Sequence, residues 1–238
     1  MIADPDIARA FETTWPAAET ADSGALRTGR GLGGGGRVGS TFATGPGWQP
    51  EDIAAAEEVH RLWDQRPLFR VADEDTALAT ALAARGYRRE KPTAILAANC
   101  ADLAGDVPGM AAFAIWPPLA IQRELWAAGS ITPARQAVMD RVGLPRAALL
   151  GRISDRAAGA AFVAADGPVA MIHAIEVAPQ FRRRGVARWL IRKAALWAAE
   201  QGATRLALAV ARDNAAAIAT YRTLGFDEIA GYAYWARD

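Results

Sequence analysis

The strongest chemical signal in the sequence is a basic, glycine-containing segment, VAPQFRRRGVARWL, at residues 177–190. Its pattern predicts a strand that ends near Val177, a short turn, and a helix that begins directly afterwards. The first amides of a helix lack partners and lie at the positive end of the helix dipole, and a glycine allows close approach to the main chain. A solvated basic turn has a similar composition, but the strand-turn-helix context favours a phosphate site. Its candidate residues are Arg182, Arg183, Arg184, Gly185, Val186, Ala187 and Arg188.

A second segment with chemical potential, RDNAAAIATYRTLGF at residues 212–226, follows a buried strand. Tyr221 lies seven residues after Asn214, about two helical turns, so both side chains project from the same face of the predicted helix. Tyr221 could equally be a core aromatic residue beside Ile218 and Leu224. The spacing alone therefore leaves both a chemical and a packing role open for Tyr221.

Together, the R-x-x-G-x-A of Arg182, Gly185 and Ala187 and the segment around Tyr221 resemble the Gcn5-related N-acetyltransferase superfamily, over roughly residues 108–238. The resemblance implies that the basic turn binds the diphosphate of acetyl-CoA. It also implies that the backbone at Val177 holds the pantetheine arm and the acetyl group, that Asn214 contacts this arm, and that Tyr221 protonates the departing thiolate. The implied reaction is acetyl transfer to a primary amine by direct attack in a ternary complex.

The base that accepts the proton of the amine is less clearly indicated. His173 and Glu176 lie on the strand before the turn, and alternation predicts His173 on the same face as Ile175 and Val177, with Glu176 opposite. A neutral imidazole with an ordinary pKa near 6.5 can accept such a proton, directly or through water. Some arylalkylamine acetyltransferases of the superfamily carry a base histidine at this position. His173 is therefore the candidate base, while Glu176, a water relay and a packing role for His173 stay open.

The predicted elements alternate between helices and strands, which indicates an α/β (α+β) fold with a mixed, mostly antiparallel sheet flanked by helices. The pattern predicts helices near residues 1–18, 50–64, 75–85, 120–128, 132–142, 185–200 and 214–224. The clearest strands are predicted at residues 67–71, 92–98, 147–154, 159–165, 169–177 and 205–211. The last segment, FDEIAGYAYWA at 226–236, is predicted to be a closing hairpin.

The two halves of the sequence overlay without gaps at an offset of 139 residues, since Val71 falls on Val210 and Gly86 falls on Gly225. This repeat predicts a degenerate N-terminal copy at 1–100 and a catalytic copy at 105–238, joined by a linker within 99–109. The first copy has Asp75 where the second has Asn214, and Leu82 where the second has Tyr221. If these positions do chemistry, only the second copy is equipped for it.

The N-terminal half also contains a literal G-x-G-x-x-G at Gly29, Gly31 and Gly34. A phosphate-binding fingerprint requires a helix directly after the glycines, whereas the strand-like segment RVGSTFAT follows here. The pattern therefore favours a flexible turn between two strands.

The composition limits the possible partners. The 27 Lys and Arg residues balance 26 Asp and Glu residues, so the net charge of +1 gives no general reason for binding to nucleic acid or to an anionic membrane. The apolar runs fall short of a membrane helix, and a cytoplasmic protein is expected. The single Cys100 excludes an internal disulfide, and Cys100, His60 and His173 lack metal-site spacing.

Acetyl-CoA and an amine are thus the expected partners, and the sequence does not indicate an oligomeric state. Two alternatives to an enzyme remain. One is a non-catalytic sensor that binds an acyl-CoA. The other is a nucleic-acid-binding protein that uses Arg182 to Arg184, which the neutral composition disfavours.

Overall fold

The strands of the chain join into one eleven-stranded sheet in the computed structural model, which describes residues 2–237. The strands are β1 Glu19–Ser23, β2 Leu26–Arg30, β3 Thr41–Ala43, β4 Leu68–Ala72, β5 Arg88–Asn99, β6 Ala112–Ile115, β7 Arg146–Ile153, β8 Arg156–Asp166, β9 Val169–Val177, β10 Arg205–Ala211 and β11 Asp227–Ala236. Their spatial order is β1-β2-β3-β4-β11-β5-β10-β9-β8-β7-β6. Among the strands of the described residues, only the β3–β4 and β9–β10 pairs are parallel, so the predicted mixed and mostly antiparallel fold is confirmed.

Helices cover both faces of this sheet. They are α1 Pro5–Thr13, α2 Pro50–Leu62, α3 Thr76–Ala84, α4 Cys100–Leu103, α5 Ala120–Ala128, α6 Pro133–Arg141, α7 Val186–Glu200 and α8 Ala215–Thr223. Their starts follow the sequence signals. Thr132 caps α6 and is followed by Pro133, and Asp4 caps α1 and is followed by Pro5. Proline suits the first helical position because the residue there has no intrahelical partner for an N–H group.

The 139-residue repeat is visible in the local geometry of the two halves. The Asp75 carboxylate caps α3 by accepting a hydrogen bond from the Leu78 amide at 3.0 Å, and the Asn214 carbonyl caps α8 by accepting one from the Ala217 amide at 3.2 Å. Both helices are followed by a glycine with positive φ, Gly86 at 83° and Gly225 at 93°. The same cap, helix and left-handed glycine thus occur once in each half.

The two halves exchange their last strands. β5 belongs to the first half by sequence, but it lies between β10 and β11 and pairs antiparallel with both. β11, the last strand of the second half, pairs antiparallel with β4 of the first half. The sheet is therefore continuous across the repeat, and the central strands of each half depend on the other half for their hydrogen-bond partners.

The prediction of a hairpin at the C-terminal end is wrong. Residues 227–236 form the single strand β11, with two irregularities in its pairing to β5. Gly231 lies within this strand, and its lack of a side chain leaves room for a contact between the halves. A Cβ atom there would lie 2.2 Å from the Asp73 carboxylate and 2.5 Å from the Arg212 guanidinium, which form an ion pair at 3.1 Å across the junction of the halves.

The glycine tract of the N-terminal half packs against the C-terminal half. A Cβ atom on Gly34 would lie 2.8 Å from Val138 on α6, and a Cβ atom on Gly33 would lie 3.2 Å from Ala134 on the same helix. Gly33 and Gly35 also have positive φ values of 77° and 99°. The tract is thus a closely packed turn rather than a loose one, and its glycines permit the approach of α6.

The short helix α1 closes the junction of the halves on one face of the sheet. Its apolar residues Ile7, Ala10 and Phe11 are buried in a cluster with residues of the central strands. These are Ile95, Ala97, Val169, Met171, Ala207, Tyr232 and Tyr234. On the opposite face, α2 and α3 cover the first half, whereas α7 and α8 cover the second half.

Candidate active site

The turn between β9 and α7 presents main-chain donors. A short 3-10 helix, Pro179–Phe181, leads into Arg183 at φ 60° and Gly185 at φ 85°, two left-handed residues within three positions. Gly185 occupies the N-cap of α7, and no side chain caps the helix there. Successive amides in such a turn converge on one point, which forms a concave site for an anion.

The arginines of this turn differ in their partners. The Arg182 Nε atom donates to the Val177 carbonyl at 3.0 Å, and its guanidinium pairs with Glu176 at 3.3 Å. Arg183, Arg184 and Arg188 are exposed and form no ion pair with any of residues 2–237. Three positive charges therefore surround the open helix start and remain available to an anionic ligand.

Beside the turn, the sheet opens between β9 and β10. The two strands pair in parallel only from Val169 to Met171 on β9 and from Arg205 to Ala207 on β10. Because β9 continues to Val177 and β10 continues to Ala211, the strands separate toward their C-terminal ends. The gap ends at the basic turn, so an extended ligand with its anionic end at the turn can place its other end beside Val177.

A bulge in β9 changes which residues face the gap. Ala174 has φ 51°, and the register of β8 against β9 shifts at this point. The indole Nε1 of the buried Trp126 on α5 donates to the Ala174 carbonyl at 2.9 Å and holds the bulge. The predicted alternation is therefore wrong: Ile175 and Val177 pack against the cluster beneath α7, whereas His173 faces the opposite side.

His173 lies in a buried polar network. Its ring contacts the tilted ring of Trp15, with centroids 5.1 Å apart, and stacks on Phe162, with centroids 6.2 Å apart. Arg37 can only donate, so the contact of 3.3 Å between Arg37 Nη1 and His173 Nδ1 makes Nδ1 the acceptor. His173 Nε2 then donates to Thr14 Oγ1 at 3.0 Å.

Burial and the Arg37 charge hold the pKa of His173 well below its usual value. Both ring nitrogens are occupied, so this arrangement does not favour His173 as the base. The sequence around His173 does not reveal these contacts, because Thr14 and Arg37 are distant from His173 in the chain.

Glu176 lies beside the basic turn. Its side chain is 18% exposed and pairs with Arg182 of the turn. It also lies against the end of α5, where a Cβ atom on Gly129 would be 2.5 Å from its carboxylate. Glu176 is thus a partly solvated carboxylate two residues after the bulge.

The two residues expected on α8 lie at opposite ends of this helix. Tyr221 is only 9% exposed and packs against Phe226, with ring centroids 5.9 Å apart. Burial raises the pKa of Tyr221 to about 12, and its hydroxyl makes no hydrogen bond to any of residues 2–237. Asn214 is exposed, and its carbonyl caps α8 while its NH₂ group makes no hydrogen bond within the same range.

These features agree with the comparison against known proteins. Residues 43–226 match the model of the Acetyltransferase (GNAT) family, which covers most of the chain and both halves of the sheet. The chain therefore belongs to this family, and the predicted resemblance to the Gcn5-related N-acetyltransferases is confirmed.

Individual relatives agree with this assignment. The chain is 40% identical over 70 residues to an aminoglycoside N(6')-acetyltransferase type 1 from Acinetobacter haemolyticus, a match that covers 29% of this chain and 48% of that protein. The chain thus spans about half the length of this curated relative.

Two solved structures share the fold across both halves. A GCN5-related N-acetyltransferase from Kribbella flavida aligns with a TM-score of 0.70 and 20% identity, over 92% of this chain and 89% of that one. A tandem GNAT protein from the clavulanic acid biosynthesis pathway aligns with a TM-score of 0.62 and 19% identity, over 89% and 77%.

No group of three or more His, Cys, Asp or Glu residues among residues 2–237 is arranged to hold a metal ion. Among the helices described for the same range, each is too short or too polar to cross a membrane.

Proposed function

We propose that the chain transfers an acetyl group from acetyl-CoA to a primary amine, with the reaction in the C-terminal half. The observation that carries this proposal is the open, uncapped start of α7, beside unpaired arginines, at the end of the gap between β9 and β10. Family membership supports acetyl transfer. The amine acceptor and the direct attack are inferred from the chemistry of the residues.

The main-chain amides of the turn hold the diphosphate in this proposal. Arg183, Arg184 and Arg188 neutralise its charge from the exposed side of the turn. The pantetheine arm follows the gap toward Val177, where main-chain amides steady the developing oxyanion. Asn214 contacts the arm through the NH₂ group that the helix cap leaves unused.

Tyr221 supplies the proton for the departing thiolate. With a pKa raised to about 12, its hydroxyl stays protonated throughout the neutral range, as a proton donor must. The hydroxyl makes no hydrogen bond to any of residues 2–237, so it is free to bind the sulfur of the leaving group. The equivalent position in the N-terminal half is Leu82, which cannot donate a proton.

Glu176, directly or through a water molecule, accepts the proton of the attacking amine in this proposal. It follows the bulge at Ala174, and its carboxylate is partly solvated. His173 then acts as a positioning residue, because its stacked ring supports β9 next to the bulge. This division keeps the proton acceptor in contact with water and the histidine in the core.

The acceptor is defined only as a primary amine. The relative from Acinetobacter haemolyticus is named for transfer to an amino nitrogen of an aminoglycoside, which supports an amine acceptor here. Because the match covers less than half of that protein, its substrate is not carried over to this chain.

The test is an assay with acetyl-CoA and a panel of amines that includes amino acids, polyamines and aminoglycosides. We expect release of free thiol together with an acetylated amine detected by mass spectrometry, and little thiol release without an acceptor. A non-catalytic sensor would bind acetyl-CoA and return it unchanged with every amine. Failure to bind acetyl-CoA at all would contradict both alternatives.

A further inference from the structure

The face of the sheet opposite α7 is the side from which an acceptor can enter the gap between β9 and β10. In the proposed reaction the coenzyme arrives from the basic turn at the start of α7, so the amine must approach the thioester from the other face. Alternate residues of β7 and β8 pack on α7 or on α5 and α6, which places these two helices on that other face. The residues of α5 and α6 therefore help to decide which amines reach the thioester.

The turn between α5 and α6 lies directly beside Glu176. A Cβ atom on Gly129, the residue after α5, would be 2.5 Å from the Glu176 carboxylate. The carbonyl of the next residue, Ser130, accepts a hydrogen bond from Arg135 Nη1 at 3.1 Å. These contacts and standard bond lengths place the Arg135 guanidinium within about 13 Å of the proposed base. A small amine bound at Glu176 can thus reach Arg135 with its other end.

The glycine tract of the N-terminal half packs against Arg135 from the other side. A Cβ atom on Gly35 would lie 3.7 Å from Arg135 Nε, and one on Gly36 would lie 3.2 Å from the ring of Tyr234. The Tyr234 phenol is also close enough to interact with the charge of Arg135. The tract and β11 therefore hold the guanidinium in place, and the N-terminal half contributes to the acceptor side of the C-terminal half.

Arg135 has no anionic partner within residues 2–237. Its Nε atom is buried without a partner, whereas its Nη2 atom makes no hydrogen bond in this range and keeps accessible surface. Burial lowers the pKa of Arg135, but a guanidinium stays charged at neutral pH. A charge that is partly removed from water without a partner is costly, and the accessible Nη2 atom is where a ligand can supply that partner.

The carboxylates near this face do not offset the charge of Arg135. Two of them are already in ion pairs, Glu176 with Arg182 and Asp140 with Arg123. Glu124 lies two positions before Trp126, whose indole faces β9, so Glu124 projects from the opposite side of α5. The charge that this face offers to an acceptor is therefore positive.

We propose that Arg135 selects the acceptor, and that the acceptor is a primary amine that also carries a carboxylate. The amine lies at Glu176, and the carboxylate accepts a hydrogen bond from Arg135 Nη2, so both ends of the molecule are fixed. A single guanidinium matches the single charge of a carboxylate, whereas a diamine brings a second positive charge against it. This inference rests on the proposed function, because it names the acceptor class of that reaction.

The test compares acceptors that share one primary amine and differ at the far end: 4-aminobutanoate, the neutral 4-aminobutanamide and the cation 1,4-diaminobutane. The set is repeated with six-carbon chains, so that insufficient reach is not mistaken for absent charge recognition. With saturating acetyl-CoA, kcat/KM for the carboxylate at its better length should exceed the values for the amide and the diamine by about tenfold or more. An amide or a diamine that is acetylated as efficiently at both lengths would overturn the proposal.

A pair of variants assigns this preference to Arg135. Arg135→Gln should raise KM for the carboxylate by about tenfold or more and leave kcat within about threefold, because Arg135 binds the acceptor away from the reacting atoms. The matched control is Arg141→Gln, on the last turn of the same helix. Arg141 also lacks a carboxylate partner within residues 2–237, but it donates to the Pro16 carbonyl at 3.5 Å. This control should keep the preference unchanged.

The outcomes separate this inference from the proposed function. Unchanged acetyl-CoA affinity in Arg135→Gln shows that the fold is retained. If this variant loses activity equally with all three probes, or no more than Arg141→Gln, the assignment of Arg135 is wrong and acetyl transfer stands. The same holds if the wild type acetylates only amines without a carboxylate. If the wild type binds acetyl-CoA and acetylates no amine at all, the proposed function itself fails.

Discussion

A buried hydroxyl is one chemical difference between the two halves of the repeat. Tyr221 occupies a position in α8 that corresponds to Leu82 in α3, and both side chains are buried beneath their helix. The tyrosine has the same packing role as the leucine and adds one proton donor without a partner. Its conversion to phenylalanine therefore changes chemistry more than packing.

The variant Tyr221→Phe should retain acetyl-CoA affinity and lose turnover by roughly 10²–10⁴-fold, the usual contribution of a general acid. The measurement is kcat with a reactive amine, together with the Kd of acetyl-CoA by calorimetry. The control is Tyr87→Phe, at a buried tyrosine of the N-terminal half that bonds to Glu57. Unchanged turnover in Tyr221→Phe would remove this residue from the mechanism.

Glu176 and His173 are separated by three positions and have opposite environments. The proposal predicts that Glu176→Gln lowers kcat/KM by about 10²-fold and removes the acidic limb of its pH profile, because the base is lost. His173→Gln should lower thermal stability while the shape of the pH profile stays the same. A pH profile that changes only in His173→Gln would return the base role to the histidine.

At the scale of elements, the two strand-turn-helix units, β9 to α7 and β3 to α2, differ at their helix starts. The α7 unit leaves the amides free and adds arginines, whereas the α2 unit fills the helix start with Pro50 and Asp52. The difference lies in a few turn residues, and it decides which helix start can hold a diphosphate.

Gly185 tests the α7 unit directly. Gly185→Leu should abolish measurable acetyl-CoA binding, because a side chain at φ 85° strains the turn and blocks the approach of the diphosphate. Gly202→Leu is a matched control, since Gly202 also has φ 85° but follows the other end of α7. Both variants should lose about 1–2 kcal/mol of stability. Intact acetyl-CoA affinity in Gly185→Leu would contradict the proposed diphosphate site.

The elements also show where sequence reasoning succeeds and where it fails. The α7 turn and the caps of α3 and α8 are predictable because a few neighbouring residues determine each one. The face of His173 is not, because the bulge at Ala174 is held by Trp126, 48 residues away. The closing hairpin is not formed, and Gly231 within that segment instead leaves room for an ion pair between Asp73 and Arg212, which are distant in the chain.

For the whole molecule, the exchange of β5 and β11 joins the halves into one cooperative sheet. The sequence predicts β5 as a strand but predicts a hairpin where β11 forms, and it contains no signal for the pairing partners of either, because pairing is a non-local choice. The exchange and the helix α1 connect the two halves through shared core residues. We therefore expect the halves to unfold together.

Two buried histidines, His60 in the N-terminal half and His173 in the C-terminal half, should make the protein sensitive to acid. Burial lowers the pKa of His60 to about 4, and that of His173 is also lowered. The unfolded chain, with an ordinary pKa near 6.5, takes up protons that the folded chain does not. Stability is therefore complete above about pH 6.5 and falls as the pH approaches 4.

The His60 contribution lost between pH 7 and 4.5 is about 2–3 kcal/mol. Urea unfolding of the wild type and of His60→Gln at both pH values measures this contribution as a double difference. The variant should lose less stability than the wild type on acidification. Equal losses in the two proteins would show that His60 does not carry this sensitivity.

The central claim is that the C-terminal half binds acetyl-CoA through the turn at residues 182–188. A crystal structure of the full chain grown with CoA tests this claim most directly. The account predicts the diphosphate within hydrogen-bond distance of the amides of this turn, with the thiol near Val177 and the Tyr221 hydroxyl. A diphosphate bound instead at the start of α2, or a turn that binds nothing at saturating CoA, would contradict it.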